Sequence, residues 1–205
     1  MKRKIFLATN NHAKIERFQN LIHSITTDVE TFVPKDFGLE TITAEENGKT
    51  LVENSEIKAR AYFGKVVMPI LANDTGFWVE NEGFVHTPKR TALGEKNETE
   101  FTKEELSKSL LTFWKGIATK HGGQVNAAWI EAFVLLNPDG TIQKTESRRD
   151  VILTDKEFGK AHIQMPIRAL YISKTTNKPA IQHSKEEELL EMKPVTEALS
   201  KLLLS

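Results

Sequence analysis

The stretch from Val66 to Gly76 joins an apolar run to the polar triplet Asp74-Thr75-Gly76. The apolar run predicts a buried strand over 70–73 that delivers the Asp74 carboxylate to the carboxyl edge of a sheet. Open α/β sheets hold their ligands at that edge. Asp74 could there ligate a metal ion or polarise a water, although an Asp followed by Thr-Gly also fits an Asx turn. Both interpretations stay open for this stretch taken alone.

A second polar cluster lies upstream, between Glu46 and Ala59. A helix is predicted over 50–66, and Thr50 and Glu53 have the spacing of a capping box that would begin it. Asn54 and Lys58 share one face of this helix. Glu53 could be a metal ligand or only a capping residue. If Glu53, Asp74 and Lys58 converged on one cleft, they would suit metal-bound phosphate chemistry.

The first loop, Thr9–Ala13, lies between a strand predicted over 4–8 and a helix predicted over 14–25. Free N–H groups at a helix N-terminus bind phosphate well, and Lys14 would add positive charge. The loop lacks the glycines of a Walker A motif. Asn and Thr are also common N-cap residues, so a simple capping role remains open.

The composition limits the classes of function. Lys and Arg number 28 and so do Asp and Glu, which gives no overall field for nucleic acid or an anionic membrane. There is no cysteine, so disulfides, thiolate catalysis and Cys-ligated zinc are excluded. The remaining oxygen ligands favour Mg²⁺ or Mn²⁺ over zinc, and the histidines show no metal-ligand spacing. We expect no membrane span and no signal peptide, and therefore a cytoplasmic protein.

We expect residues 1–205 to form a single α/β domain with two lobes and a cleft between them. The α/β lobe would comprise about 1–120 plus 184–205. The hairpin lobe would comprise about 125–175, with strands over 127–136 and 141–153 joined by the turn Asn137-Pro138-Asp139-Gly140. A further strand is predicted over 167–172. Pro194 is predicted to separate two C-terminal helices over 184–192 and 195–204.

The three polar clusters, in this order, resemble the inosine triphosphate pyrophosphatase family. That family begins with a strand followed by T/S-x-N-x-x-K, continues with E-x-G-x-T-F-x-E-N-A-x-x-K-A, and has a third motif in which a strand ends in an acidic residue, Asp, Ser or Thr, and Gly. The matching residues are Thr9, Asn11, Lys14, Glu46, Gly48, Thr50, Glu53, Asn54, Lys58, Ala59, Asp74, Thr75 and Gly76. The similarity is close over about residues 4–80, and the hairpin at 127–153 is also like the family's second lobe.

The resemblance implies an elongated, two-lobed mixed-sheet fold and a homodimer. It implies Mg²⁺-dependent cleavage of a nucleoside triphosphate to the monophosphate and pyrophosphate, with no nucleic-acid or membrane partner. Lys14 and Lys58 would hold phosphates, Glu53 and Asp74 would hold Mg²⁺ or Mn²⁺, and Asp74 would activate the attacking water. The other implied substrate-binding residues are Thr9, Asn10, Asn11 and Thr75.

Four departures from the family pattern bear on function. Asn73 stands where the family has an acidic residue, and the segment 86–90 replaces a Gly-rich loop. Two C-terminal segments that would read the base are altered, at Met165-Pro166 and at Met192-Lys193-Pro194. Losing the polar partners of a base loses discrimination, so we expect altered or relaxed specificity toward non-standard nucleotides. The alternative is a catalytically weak nucleotide-binding or interaction protein on the same fold.

Overall fold

A mixed β-sheet flanked by helices forms the part of the chain that the computed structural model describes, which is residues 2–85, 88–94 and 100–204. The predicted segment 86–90 therefore lies partly outside the described residues. The strands are β1 (Arg3–Leu7), β2 (Val29–Phe32), β3 (Ile70–Val79), β4 (Gly83–Phe84), β5 (Gln124–Leu136), β6 (Ile142–Thr154) and β7 (Tyr171–Ser173). The α-helices are α1 (His12–Ile25), α2 (Leu51–Tyr62), α3 (Pro88–Leu93), α4 (Lys103–Lys120) and α5 (Lys185–Leu203).

The sheet has the strand order β2-β1-β3-β5-β6-β7, and β4 pairs with β3. β1 is parallel to β2 and β3, whereas the β3–β4 and β6–β7 pairs are antiparallel. The pairing of β1 with β3 ends at the Leu7–Leu71 pair, and β3 continues alone past the end of β1. Asp74 therefore lies beyond the carboxyl end of β1, as a ligand-binding edge requires.

The prediction that the strand stops at Asn73 is wrong, because β3 runs through Asp74 to Val79. Phe77 and Val79 alternate with more exposed residues and are buried in a hydrophobic core, which keeps the chain extended. The predicted turn at Asn81-Glu82-Gly83 is confirmed, since β3 and β4 pair through Trp78 and Phe84 around it.

The chain divides into two compact units. The first comprises Met1–Thr75, Glu131–Ser147 and Pro194–Ser205, and the second comprises Gly76–Ile130 and Arg148–Lys193. The core of the first unit includes Phe6 and Tyr62, whose rings lie 5.0 Å apart. The core of the second unit includes Phe77 and Trp114, which meet edge to face at 5.2 Å.

Three predicted elements end or continue differently. α2 ends at Tyr62 rather than 66, because Phe63 is extended and Gly64 has a φ of 74°. The strand predicted over 167–172 is a 3-10 turn at Pro166–Ala169 followed by β7. Pro194 lies inside the single helix α5. Burial on both sides of Pro194 offsets the roughly 3 kcal/mol that an interior proline costs a helix.

The predicted hairpin is confirmed, with β5 and β6 one or two residues from the expected bounds. None of the helices in the described residues is both long enough and apolar enough to cross a lipid bilayer.

Candidate active site

A pocket of about 260 Å³ opens at the N-terminus of α1, within the first unit. Five of the predicted site residues line it: Thr9, Asn10, Asn11, Lys14 and Lys58. Asn73 also lines the pocket, and Asp74 is joined to it through Lys58. The structure thus brings the three sequence clusters together in one place, although they come from a loop, a helix and a strand.

Asn11 begins α1. Its Oδ1 accepts the backbone N–H of Lys14 at 3.2 Å, and its own N–H donates to Thr9 Oγ1. The capping interpretation of this loop is therefore correct for Asn11. It does not exclude ligand binding, because a capped helix still directs free N–H groups and a positive dipole end toward the pocket.

Lys14 carries a charge that the folded chain only partly compensates. Its Nζ donates to Asn73 Oδ1 at 3.4 Å, a neutral acceptor at long range. Burial, and after it the positive charge of Lys58, lower the pKa of the Lys14 ammonium. An anion in the pocket would be a favourable counter-ion for this group.

Lys58 is the charged centre of the site. Its Nζ lies 2.8 Å from Asp74 Oδ1 and 2.8 Å from Glu46 Oε2, and 3.4 Å from the carbonyl oxygen of Asn73. Only 13% of its side chain is exposed, and only 14% of that of Asp74. At such burial, the ion pair between them is screened much less than one on the surface.

Asp74 is held on both carboxylate oxygens. Lys58 donates to Oδ1, and Asn54 Nδ2 lies 3.5 Å from Oδ2. Asp74 belongs to a strand, so the Asx-turn interpretation is wrong for it. Both donors lie on the α2 face that the spacing of Asn54 and Lys58 predicted, because residues four apart stack on one side of a helix.

Glu53 makes the capping box that the sequence predicted. Thr50 Oγ1 accepts the N–H of Glu53, while Glu53 Oε2 accepts the N–H groups of Lys49 and Thr50. Gly48 fits tightly beside it, since a Cβ there would lie 2.7 Å from Glu53 Cβ and 2.8 Å from Asn54 Oδ1. The metal-binding role of Glu53 stays a prediction.

The sequence profile of the Ham1 family matches residues 5–149 of this chain. The chain belongs to the Ham1 family. The family membership inferred from the three motifs is thereby confirmed. The match includes the Thr9–Lys14 loop, the Glu46–Ala59 cluster and Asp74, so the residues that meet at the pocket all fall inside it.

Curated relatives of this Ham1 chain are named dITP/XTP pyrophosphatase. The protein of Treponema denticola is 42% identical over 77 residues, which is 38% of this chain and 37% of that protein. The protein of Thermoanaerobacter pseudethanolicus is 34% identical over 115 residues, 56% of this chain and 54% of that protein. The chain thus spans from about a third to about half of the length of these relatives.

Solved structures match nearly the whole Ham1 chain. The Staphylococcus aureus Ham1 protein superposes with a TM-score of 0.72 over 98% of both chains, at 19% identity. A HAM1 protein from Coxiella burnetii matches with the same TM-score, coverage and identity. At this identity the likeness concerns the fold, and it confirms the predicted α/β mixed-sheet fold.

Two residues of the Ham1 site were given no role from the sequence. Glu46 matched the second motif, but its approach to Lys58 required the folded loop before α2. Tyr62 lines the pocket, and its hydroxyl donates to the Ile42 carbonyl at 3.4 Å. Its position four residues after Lys58, on the same helix face, is a signal that could have identified it.

The oxygen ligands of the Ham1 site suit a hard divalent cation, although they do not form a ready-made cage. Glu46 and Asp74 both lie within 2.8 Å of the same ammonium, so two carboxylates converge at one point. Mg²⁺ commonly uses one or two carboxylates together with waters and substrate phosphates. Among the residues described, no group of three or more acidic or histidine side chains could hold a metal by itself.

Proposed function

We propose that this Ham1-family protein hydrolyses a nucleoside triphosphate to the monophosphate and pyrophosphate. The observation that carries the proposal is the joint placement of Lys14, Lys58 and Asp74 at the N-terminus of α1. Two cations and a helix N-terminus suit a polyphosphate, and a carboxylate beside them suits a water-activating base. The names of the curated relatives support the same reaction.

Phosphate binding would rest on the first loop and two lysines. The N–H groups at the start of α1 would donate to phosphate oxygens, with Thr9, Asn10 and Asn11 around them. The Lys14 ammonium would gain the counter-ion that the folded chain does not give it in full. Lys58 and Thr75 would complete the substrate contacts. Positive charge that is fixed before the reaction lowers the barrier to attack on a phosphate ringed by negative oxygens.

Asp74 would accept the proton of the attacking water. Lys58 and Asn54 restrain its carboxylate, so little reorganisation is needed when the substrate is bound. The ion pair with Lys58 also favours the ionised form, which is the form that can act as a base. A positioned general base of this kind contributes about 10²–10⁴-fold in rate.

Mg²⁺, with Mn²⁺ as a substitute, would be held by Asp74 and a second carboxylate. Glu53 was predicted for this role, and Glu46 also meets the requirement, because it shares the Lys58 ammonium with Asp74. When bound, the cation would neutralise phosphate charge and favour ionisation of a bound water.

Altered or relaxed base specificity, toward non-standard nucleotides, forms part of the proposal. It is supported by the changed segments at Met165-Pro166 and Met192-Lys193-Pro194, whose side chains differ from those that would read a purine. We further propose a homodimer that works in the cytoplasm.

The test is pyrophosphate release from a panel of nucleoside triphosphates with Mg²⁺. Asp74→Asn should lower kcat by about 10²–10⁴-fold on the best substrate. The matched control is Asp28→Asn, which changes an exposed carboxylate of the same unit and should leave kcat unchanged. Nucleotide binding without turnover in either form would refute the hydrolase and favour the nucleotide-binding alternative.

A further inference from the structure

We propose that Asn73 is a positioning residue that holds Lys14 for the substrate phosphates while leaving its positive charge uncompensated. This inference rests on the proposed function. Asn73 stands where the family pattern has an acid, and it lines the pocket with 8% of its surface exposed. Its contacts describe a fixed amide with a defined direction.

The amide of Asn73 can be oriented in only one way. Its Nδ2 donates to two backbone carbonyls, that of Ala132 at 3.1 Å and that of Asp74 at 3.1 Å. A carbonyl oxygen can only accept, so a flipped amide would place oxygen against oxygen at both contacts. The chemistry of these partners therefore fixes which end of the side chain faces the pocket.

The oxygen end of Asn73 then meets two donors. Lys14 Nζ lies 3.4 Å from Oδ1, and Thr75 Oγ1 donates to the same oxygen at 3.1 Å. A neutral acceptor orients the ammonium without neutralising it. An acid at this position would pair with Lys14 and compete with a phosphate for it.

A second unusual residue meets the same carbonyl. Ser55, fully buried, donates its hydroxyl to the Ala132 oxygen at 3.1 Å, and it stands where the family motif has Ala. Two of the chain's departures from the pattern thus converge on one acceptor of β5. Ser55 has no contact with Lys14 among the hydrogen bonds of the described residues, which makes it a suitable control.

An Asp at position 73 would not fit this arrangement. It would replace two N–H donors with an acceptor oxygen facing the carbonyls of Ala132 and Asp74, and such unpaired buried oxygens are unfavourable. The neutral side chain at 73 is thus built into this site. It need not mean that the site has lost its function.

The test is calorimetric binding of inorganic tripolyphosphate, with Mg²⁺ in excess, to four variants of the full chain. Asn73→Ala should weaken binding by roughly threefold or more in the wild-type background and have no further effect in Lys14→Ala, because contacting residues are energetically coupled. Ser55→Ala should lower Tm and bind as the wild type does. Asn73→Asp should also bind more weakly.

Three outcomes would overturn the inference, and they differ from failure of the proposed function. An equal loss from Asn73→Ala with and without Lys14 would show that Asn73 does not act through Lys14. Weakened binding in Ser55→Ala, equal to that in Asn73→Ala, would show a general structural role. Tighter binding in Asn73→Asp would show that a charge is wanted there. If the wild type bound no tripolyphosphate, the proposed function would fail and the inference with it.

Discussion

Removing Arg17 should destabilise the first unit strongly and in a pH-dependent way. Arg17, on α1, makes a two-point contact with Glu131 on β5: Nη2 donates to Oε1 at 2.6 Å and Nη1 to Oε2 at 2.8 Å. The Glu131 side chain is 0% exposed, whereas that of Arg17 is 32% exposed. Arg17→Met keeps a long apolar side chain but takes the guanidinium away from a buried carboxylate.

The size of the effect follows from what Glu131 can do next. It can stay ionised without those two hydrogen bonds, or it can take up a proton. Protonating a group of ordinary pKa at pH 7 costs about 3.7 kcal/mol, and this limits the penalty. Breaking a buried pair costs about 3–5 kcal/mol in general, so we expect a loss of about 3–4 kcal/mol at pH 7.

The sign of the pH dependence follows from the same reasoning. Without Arg17, burial raises the folded-state pKa of Glu131 above its unfolded value, so the folded state holds a proton that the unfolded chain has lost. Stability then falls as pH rises from the unfolded pKa through the raised one. At pH 5 the cost should shrink to about 1–2 kcal/mol, because protonation is then almost free.

The assay is urea unfolding followed by far-ultraviolet circular dichroism. Tryptophan fluorescence would miss the event, because Trp78, Trp114 and Trp129 all belong to the second unit. The double variant Arg17→Met with Glu131→Gln should recover most of the lost stability at pH 7. A cost below about 1 kcal/mol, an equal cost at pH 5 and pH 7, or no recovery with Gln would refute the reasoning.

Three further predictions concern other parts of the chain. Gly48→Ala should cost about 1–3 kcal/mol by overpacking, because its Cβ would lie 2.8 Å from Asn54 Oδ1; Gly116→Ala, where a Cβ meets nothing within 4 Å, should be neutral or stabilising in the same thermal melts. Glu191→Ala should cost about 3–5 kcal/mol in fluorescence-detected urea unfolding, because the buried carboxylate accepts from a buried guanidinium of β6; a cost below 1 kcal/mol would contradict this. Burial raises the pKa of Tyr171 to about 12, and it raises the pKa of the chain's other tyrosine too. Tyrosinate absorbance should therefore stay low at pH 10 until the protein unfolds, and stability should fall between about pH 10 and 12 as the unfolded chain loses its protons first.

The parts of the site that local rules govern were predicted well. The box of Thr50 and Glu53 begins α2 one residue after Thr50, and Asn54 and Lys58 share the face that touches Asp74. Helix caps and helical spacing depend on neighbours in the sequence, so a single chain reveals them. The Asn-Pro-Asp-Gly turn between β5 and β6 is equally local.

The errors lie where distant packing overrides local signals. β3 does not end at Asn73, because Phe77 and Val79 are buried by residues far along the chain. Pro194 does not break α5, because buried side chains on both sides outweigh the cost of one lost hydrogen bond. Neither burial pattern can be read from the residues next to the signal.

The sequence by itself determined the family, the three polar motifs and the chemical types that they bring, since these depend only on residue identity and spacing. The tertiary structure alone decided which groups face each other. It placed Glu46 on Lys58, Arg17 on the buried Glu131, and the amide of Asn73 between two carbonyls and Lys14. These contacts join segments that are far apart along the chain, and only the packing of β1, β3 and β5 with α1 and α2 brings them within hydrogen-bonding distance. Asp74 thus keeps its predicted place beyond β1, and the neighbouring Asn73 contributes through contacts that no spacing rule contains.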